Sequence, residues 1–489
     1  MYSFLLSIAA LVLGYIIYGA IVDRIFGPDP SRKTPAVSKA DGVDYIAMPT
    51  WKVFMIQFLN IAGTGPIFGA IMGAKFGPAS YLWIVLGCIF AGAVHDYMCG
   101  MLSVRHGGET FPDLVGEYLG KRTKTVMLVF SIILLLLVGT VFVYSPALIL
   151  GDIAGDGSRG SIMLWVGIVF LYYVVATLLP IDKLIGKVYP AFAVALLFMA
   201  LALMVCLFLK WPTLPELWDG LGGWSAKAGL KDQPIFPCLF ITIACGAISG
   251  FHATQSPLMA RCIKNEKLGR PVFYGSMITE GLVALIWAAV SSWFFFSGGA
   301  EEVGSSLTAA APAVVTRVSE SWLGLLGGIL AILGVVAAPI TSGDTAFRSA
   351  RLIIADFLHL EQKAMFKRLW IAVPIFCLSA LLLWYNIADA NGFNTIWRYF
   401  GWSNQTLAAF MLWTATVYLA LKRPAPAYLI TLLPSMFMTA VCVAFILVDK
   451  TGFRLPTSLA PWIGIVTFVA SGVLFFLWYG KKRPARGDK

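Results

Sequence analysis

One apolar segment of the chain is interrupted at Asn60-Ile61-Ala62-Gly63-Thr64-Gly65-Pro66, although it is otherwise long enough to cross a bilayer. A second segment is interrupted in the same way at 246–257, GAISGFHATQSP. In hydrocarbon, unpaired backbone groups cost several kcal/mol, so unwound backbone persists only inside protein or beside a polar cavity. Two broken helices at matching places in two halves are typical of secondary transporters with inverted repeats. The alternative is that both are simple Gly/Pro kinks.

The composition indicates a protein that crosses the membrane many times. Of 489 residues, 59% are hydrophobic and only 12% are charged, and the mean hydropathy is +0.82. These values exclude an ordinary soluble protein. Apolar stretches of about 20 residues predict an all-α polytopic membrane protein with about 13 transmembrane helices. They begin near Phe4, Trp51, Ser80, Thr125, Ser161, Tyr189, Ile235, Val272, Ser321, Leu369, Ser403, Tyr428 and Pro461.

The positions of the basic residues predict the orientation. With that number of crossings, about 27 of the 36 Lys and Arg lie on one side, which the positive-inside rule assigns to the cytoplasm. The N-terminus is then outside, and the C-terminus is inside with a basic tail at 480–489. The net charge of +11 therefore reflects topology, and we expect the bilayer of the cell inner membrane as partner and no nucleic acid.

The crossings divide into two groups of five that match the LeuT-type 5+5 inverted repeat. An odd number of spans per half turns the second half upside down relative to the first. We predict an extra N-terminal helix at 1–22, a first repeat at 51–234 with its broken helix at 60–66, a second repeat at 235–421 with its broken helix at 246–257, and two trailing helices at 428–479.

Three connecting segments also carry predictions. Polar connections at 103–124 and 298–320 follow equivalent spans of the two halves, and each is expected to hold a short interfacial helix. In the stretch 346–360, apolar residues such as Phe347 share one face while Arg348 and Arg351 point elsewhere. This pattern predicts an amphipathic helix on the cytoplasmic membrane surface.

Both interruptions carry signals for a helix that starts again inside the membrane. Pro66 suits the first position of a new helix capped by Thr64 or Gly65, and Ser256 followed by Pro257 repeats the pattern. Each new start directs free N–H groups and a positive dipole end inward, which favours an anion such as a substrate carboxylate. The predicted contacts to substrate or coupling ion here are Asn60, Gly63, Thr64, Gly65, Ser249, His252, Gln255 and Ser256.

Ionisable side chains inside the bilayer cost about 3 kcal/mol or more and are usually functional. His95 and Asp96 lie deep in the second span of the first repeat, and Glu280 lies in the equivalent span of the second. We predict a role for them in proton coupling or gating. Alternatively, the acids accept hydrogen bonds from exposed amides of the broken helices. His252, inside the second break, suits substrate contact or protonation, or packing between helices.

A later span ends in the run Pro339-Ile340-Thr341-Ser342-Gly343-Asp344. In LeuT-type proteins this span faces the first broken helix, where hydroxyls and unwound carbonyls form a sodium site, so Thr341 and Ser342 allow sodium as the coupling ion. Asp344 either takes part in coupling or gating, or caps the surface helix that follows. We predict no metal and no cofactor, with H⁺ or Na⁺ as the coupling ion.

Four strings together resemble the carbon starvation protein A (CstA) family: NIAGTGPIFG at 60–69, AGAVHDY at 91–97, SGFHATQSP at 249–257 and ITSGDTAFRSAR at 340–351. The resemblance spans nearly the whole chain. It implies an inner-membrane transporter induced during carbon starvation and associated with uptake of peptides and, in related members, of pyruvate with protons. It also implies that 63–66 and 249–257 form the family's two broken segments. The chain is shorter than the long members of the family.

The leading hypothesis is a proton- or cation-coupled symporter that imports a small carboxylate, either pyruvate or a peptide, by alternating access. An intramembrane enzyme using His95, Asp96 and His252 is a second hypothesis. It lacks a nucleophile motif and a His-x-x-x-His spacing, so we predict that the protein is not an enzyme. A passive channel or sensor is the third hypothesis.

Overall fold

The computed structural model describes residues 1–42, 44–153, 155, 157–178, 181–230, 233–360, 364–389 and 392–482. Within these ranges every regular element is helical. Nine of the described helices are long and apolar enough to cross a membrane, and one bent pair makes a tenth candidate. This confirms an all-helical protein with many apolar spans. The predicted basic tail lies outside the described residues from position 483 onward.

Helices longer than four residues, with directly continuous segments joined, are numbered here in chain order. The first eight are α1 Tyr2–Phe26, α2 Thr50–Ile61, α3 Gly65–Ala74, α4 Ala79–Arg105, α5 Phe111–Leu119, α6 Lys121–Ile153, α7 Arg159–Leu178 and α8 Ile181–Lys210. The others are α9 235–242, α10 Gly250–Ala260, α11 Glu266–Phe296, α12 Ala311–Phe357, α13 Met365–Ala388, α14 Gly392–Lys422, α15 Leu429–Val448 and α16 Thr457–Lys482.

The first interruption is a break of three residues between α2 and α3. Helix α2 ends at Ile61, α3 begins at Gly65, and the axes of the two helices are bent by 55°. Thr64 occupies the N-cap position and Pro66 lies in the first turn, as predicted. Proline is tolerated there because the first N–H groups of a helix have no partner within that helix. The prediction of a helix that restarts inside the bundle is confirmed here.

The second interruption lies earlier than predicted, at 243–249. Ser249 has an extended conformation and is the N-cap of α10, which begins at Gly250. Ser256 and Pro257 lie inside that helix, so the prediction of Ser256 as the cap is wrong. The physical reason is that the cap comes from another part of the chain, since the Asn404 side chain accepts the N–H of Phe251 at 2.6 Å.

Glycine allows the two breaks to touch. A Cβ atom on Gly65 would overlap the side chain of Cys245, and one on Gly246 would lie 3.7 Å from the Cα of Pro66. The exposed carbonyls find partners from neighbouring helices. Ile243 O accepts the indole N–H of Trp83 at 2.9 Å, and Leu59 O accepts the Ser342 hydroxyl at 3.0 Å. The unwound segments therefore meet at one place inside the bundle.

The prediction of a surface helix at 346–360 is wrong. Helix α12 continues to Phe357, and the side chains of Arg348 and Arg351 are buried. One terminal nitrogen of Arg348 donates to Ala176 O at 2.9 Å and another lies 4.0 Å from Asp44, so the segment before α2 and the end of α7 cover this charged face. Asp344 lies inside the part of α12 that follows Gly324 and continues to Phe357, so it is not the cap of a new helix.

The connection at 103–124 contains the predicted short helix, α5, which ends at Leu119 and is followed by Gly120 before α6 begins. The connection at 298–320 contains one turn of helix at Gly299–Glu302 and the start of α12. Helix α12 is interrupted at Gly324, whose φ of 65° and ψ of −173° are not helical.

Candidate functional site

Four buried ionisable side chains form a continuous chain in the interior. His95 and Asp96 come from α4, His252 from α10 and Glu280 from α11, and all four are fully buried. Asp96 joins the two histidines, because its Oδ1 lies 2.7 Å from Nδ1 of His95 and its Oδ2 lies 2.9 Å from Nδ1 of His252. On the far side of the ring, Nε2 of His252 lies 3.4 Å from Oε2 of Glu280.

The carboxylate of Asp96 sets the tautomers of both histidines. A carboxylate only accepts hydrogen bonds, so each Nδ1 that faces it carries a hydrogen. Nε2 of a neutral His252 is then an acceptor, and it faces Glu280. The 3.4 Å contact between His252 and Glu280 is therefore a candidate position for a proton between α10 and α11.

A π-turn and a glycine in α4 place Asp96 beside the second break. The helix contains a π-turn at Cys88–Gly92, a feature often found at functional sites. A side chain on Gly92 would overlap the carbonyl oxygen of Ala247, so glycine lets α4 touch the unwound backbone directly. His95 and Asp96 follow in the next turn and therefore lie beside the start of α10.

Some polar atoms in this row of four side chains have no hydrogen-bond partner among the described residues. In the described residues, Nε2 of His95 and both carboxylate oxygens of Glu280 have no hydrogen-bond partner. The 3.4 Å contact of Glu280 with His252 is close enough for an ion pair but does not meet the geometry of a hydrogen bond. A buried polar group without a partner costs about 1–3 kcal/mol. This region is therefore suited to take up a proton, a water molecule or a substrate group.

A second polar cluster lies between the first broken helix and α10. Gln57 donates to the Ser256 hydroxyl at 3.1 Å, and Gln255 donates to the hydroxyls of Thr254 at 2.9 Å and Ser349 at 3.3 Å. Several polar atoms here are buried without a partner among the described residues: both amide atoms of Asn60, the Thr64 hydroxyl and the side-chain oxygens of Gln57 and Gln255. Asn60, Thr64, Gln255 and Ser256 were predicted from sequence, whereas Gln57 and Ser349 were not.

The hydroxyls of α12 divide between two environments. Ser342 reaches the first break and donates to Leu59 O, as expected for this span. The Thr341 hydroxyl instead donates to Ala337 O at 3.0 Å and Ala338 O at 2.9 Å in its own helix. The structure therefore brings Ser342, but not the Thr341 hydroxyl, to the broken helix.

Asp344 occupies a different environment from Asp96. Its Oδ2 accepts the Tyr189 hydroxyl at 2.8 Å, and that hydroxyl also lies 2.9 Å from Thr341 O. Its Oδ1 is buried and has no hydrogen-bond partner in the part of the chain that the structure describes. Among the predicted coupling residues, Asp344 is thus paired with α8 rather than with the chain of histidines and acids.

Asn404 contacts the second break, and it was not among the residues predicted from the sequence. Its side-chain oxygen accepts the Phe251 N–H at 2.6 Å and the Ser249 hydroxyl at 3.0 Å. It lies on α14, and a Cβ on Gly250 would overlap the Asn404 backbone, so the two helices are in close contact. The polar triplet Ser403-Asn404-Gln405 inside an apolar span was the signal in the sequence.

The arrangement of helices matches that of a known membrane transporter. A solved manganese transporter of Eremococcus coleocola aligns with a TM-score of 0.56 at 12% identity, covering 90% of this chain and 98% of that chain. The two proteins therefore share a fold of membrane-spanning helices. Within the described residues, no group of three or more His, Cys, Asp or Glu is arranged to hold a metal ion.

The family model for carbon starvation protein CstA matches residues 1–151, 152–323 and 297–444, so the chain belongs to this family. A membrane protein of Haemophilus influenzae without a described function is 46% identical over 60% of this chain and 91% of its own. The peptide transporter CstA of Campylobacter jejuni is 27% identical over 89% of this chain and 78% of its own. The pyruvate/proton symporter BtsT of Escherichia coli is 28% identical over 58% of this chain and 48% of its own.

These findings confirm the family resemblance and the prediction of a transporter rather than an enzyme. The named relatives are transporters, and the fold is shared with one. The protein is a multi-span membrane transporter of the CstA family.

Proposed function

We propose that this protein is a proton-coupled symporter that imports a small carboxylate nutrient by alternating access. The observation that carries the proposal is the buried chain His95–Asp96–His252–Glu280. It joins the second broken helix to one span from each half of the molecule. Named relatives that transport peptides or pyruvate with protons support the same class of cargo. The family membership favours a role when preferred carbon is scarce.

The proposed architecture is the LeuT-type 5+5 repeat with about 13 spans, an extra N-terminal helix and two trailing helices. One pair of corresponding segments supports it. In the first half, α5 has Pro112 in its first turn and ends at Leu119, and Gly120, with φ 96° and ψ 161°, separates it from the 33 residues of α6. In the second half, α12 has Pro312 in its first turn and is interrupted at Gly324 in a similar backbone conformation. The N-terminus outside and the C-terminus in the cytoplasm of an inner membrane follow from the charge pattern.

The proposed substrate position lies between the two breaks. The first turns of α3 and α10 carry the positive ends of their helix dipoles, which stabilise an anion, although the Phe251 N–H of α10 is already bonded to Asn404. The unpartnered Asn60 amide and Thr64 hydroxyl add donors beside α3. A carboxylate bound there would gain hydrogen bonds that these buried groups otherwise lack. The amide oxygens of Gln57 and Gln255 are available for a polar group beyond the carboxylate.

While neither His252 nor Glu280 carries the coupled proton, a carboxylate that enters this region would meet the negative charges of Asp96 and Glu280. Two like charges about 4 Å apart repel by about 4 kcal/mol at an effective dielectric constant of about 20. Uptake of a proton by the His252–Glu280 pair would remove one negative charge and so favour substrate binding. Since His252 moves with α10, alternating access would separate or join this pair and release the proton with the substrate.

Sodium is the second candidate for the coupling ion, because Ser342 and Leu59 O meet at the first break, 3.0 Å apart. A cation at that position would be held by the hydroxyl and by unwound carbonyls. Ser342 is the hydroxyl placed for this role, because Thr341 bonds within its own helix. Proton coupling is preferred, since four buried ionisable groups otherwise have no function.

The test is uptake of labelled pyruvate and of a labelled dipeptide into proteoliposomes, each under an inward proton gradient and then an inward sodium gradient. We expect accumulation driven by protons. Glu280→Gln should abolish accumulation while leaving exchange of substrate across the membrane, because glutamine keeps the shape of the side chain and loses the titratable proton. Glu301→Gln, which changes an exposed acid, is the matched control.

Either of two results would refute the proposal. One is the absence of uptake of pyruvate, amino acids and di- or tripeptides under any ion gradient. The other is full proton-driven accumulation by Glu280→Gln. Accumulation of the dipeptide alone would identify a peptide symporter, and accumulation under the sodium gradient alone would move the coupling site to Ser342.

A further inference from the structure

A cavity with basic walls lies away from the two breaks, where α1 ends beside the turn between α14 and α15. Its volume is about 570 Å³, and its charged walls are Arg24 and Arg423. Ile25, Leu429 and Ile430 form an apolar wall beside them. This set of residues is called the basic cavity below.

The basic cavity has a positive charge that nearby acids do not neutralise. Lining residues include two arginines and no acid. The neighbouring acid Asp23 accepts the Tyr97 hydroxyl at 2.6 Å. No salt bridge to Arg24 or Arg423 is formed within the described residues. The cavity therefore favours an anion from outside the chain.

The guanidinium of Arg423 lies beside an aromatic ring. Its guanidinium carbon lies 5.9 Å from the ring centre of Phe26, a buried residue at the end of α1. Arg105 lies over the same ring at 3.9 Å, but it pairs with Glu266 at 3.1 Å. Nε of Arg423 is buried without a hydrogen-bond partner among the described residues. A fixed guanidinium can present two parallel N–H groups to one phosphate group.

The basic cavity also lies at the depth of lipid headgroups. Helix α1 ends at Phe26 and α15 begins at Leu429, and both are apolar enough to span a membrane. The ends of such helices mark the boundary between hydrocarbon and headgroups. The side chain of Leu429 is 40% exposed, so the apolar wall continues toward the acyl region. Basic pockets between spans are a known way to bind anionic headgroups.

We propose that the basic cavity binds the phosphodiester headgroup of an anionic phospholipid, with Arg24 and Arg423 on the phosphate and an acyl chain along Leu429 and Ile430. A free inorganic phosphate presents the same charge but has no acyl chain, so it would use the arginines and not the apolar wall. Such a lipid would connect α1 to the turn that follows α14, the helix that carries Asn404.

The test measures lipid retention by native mass spectrometry and the thermal unfolding temperature of the purified full-length protein. Phosphatidylglycerol, phosphatidylcholine and inorganic phosphate are added separately. The variant R24Q/R423Q removes both charges of the cavity. The control K121Q/R122Q removes two exposed charges at the start of α6. That end of α6 follows α5 and Arg105, and Arg105 donates to Gly27 O beside the cavity, so the control is on the same membrane side.

We expect phosphatidylglycerol to be retained by the unmodified protein and by the control, and to raise their unfolding temperatures. R24Q/R423Q should retain it at least tenfold less. If the double variant does not fold, R24Q is used alone and should show about a threefold loss, because Arg24 is exposed. The proposal would be overturned if R24Q/R423Q, or R24Q where that variant is used, retained as much phosphatidylglycerol as the unmodified protein. It would also be overturned if phosphatidylcholine stabilised the unmodified protein as much as phosphatidylglycerol does. Equal stabilisation by inorganic phosphate would overturn the assignment to a lipid.

Discussion

Asn404→Ala is the sharpest test of how the second broken helix is held. The substitution removes the acceptor of two buried donors, the Phe251 N–H at 2.6 Å and the Ser249 hydroxyl at 3.0 Å. Each buried donor left without a partner costs about 1–3 kcal/mol. Sγ of Cys245, 3.5 Å from the Ser249 hydroxyl, offers only a weak replacement. We therefore expect a loss of about 2–4 kcal/mol in the stability of the native arrangement of α10.

This loss should appear in transport as well as in unfolding. If α10 leaves its binding-competent position, the apparent affinity for substrate falls in proportion to the competent fraction. A loss of about 2 kcal/mol lowers that affinity by at most roughly 30-fold, the limit reached when the displaced arrangement is already the more populated one. The assays are equilibrium binding of the labelled substrate identified by uptake, and thermal unfolding of the purified protein in detergent.

Thr414→Val is the matched control on the same helix. The Thr414 hydroxyl donates to Phe410 O within α14 and has no other hydrogen bond in the part of the chain that the structure describes, so its loss should change binding less than threefold. Unchanged affinity and unfolding temperature in Asn404→Ala would refute the role assigned to this cap. Equal losses in both variants would also refute it, since they would indicate a general weakening of α14.

Three further predictions concern other parts of the site. Gly65→Ala should lower the unfolding temperature and abolish uptake, because the new methyl group would overlap Cys245, and Cys245→Gly in the same chain should restore both; failure of this rescue would contradict direct contact between the breaks. Ser342→Ala should leave proton-driven accumulation within about twofold of the unmodified protein, because the bond to Leu59 O contributes only about 1 kcal/mol; loss of all ion-driven uptake would instead indicate a sodium site. Tyr189→Phe should reduce stability by about 1–3 kcal/mol in chemical unfolding, since Asp344 and Thr341 O lose their shared donor; an unchanged unfolding curve would argue that water replaces the hydroxyl.

The two breaks differ in how well the local sequence predicts where the helix starts again. Pro66 and the glycines around it restrict the backbone within a few residues, so the first restart was predictable from the sequence. The helix after the second break has Ser249 as its N-cap, about two helical turns before the predicted cap Ser256. The residue that stabilises this start is Asn404, which lies 155 positions from Ser249 in the chain. A cap supplied across that separation leaves no mark on the local pattern.

The charged segment at the end of α12 was wrongly predicted to lie on the membrane surface. The spacing of Phe347, Arg348 and Arg351 has the form of an amphipathic surface helix, and that form assumes water on the polar side. In the folded protein, α7 and the segment before α2 cover those arginines. Periodicity records which residues share a face, but it does not record what covers that face.

Sequence alone was sufficient for the membrane class, the helical character, the existence of both breaks and the candidates His95, Asp96, His252 and Glu280. These features depend on hydropathy and on the backbone chemistry of glycine and proline, which act over a few residues. Tertiary structure alone decided that Asp96 joins both histidines, that Ser342 rather than Thr341 reaches the first break, and that Asn404 caps α10. Such contacts join distant residues, so they exist only once the whole bundle has packed and excluded the lipid.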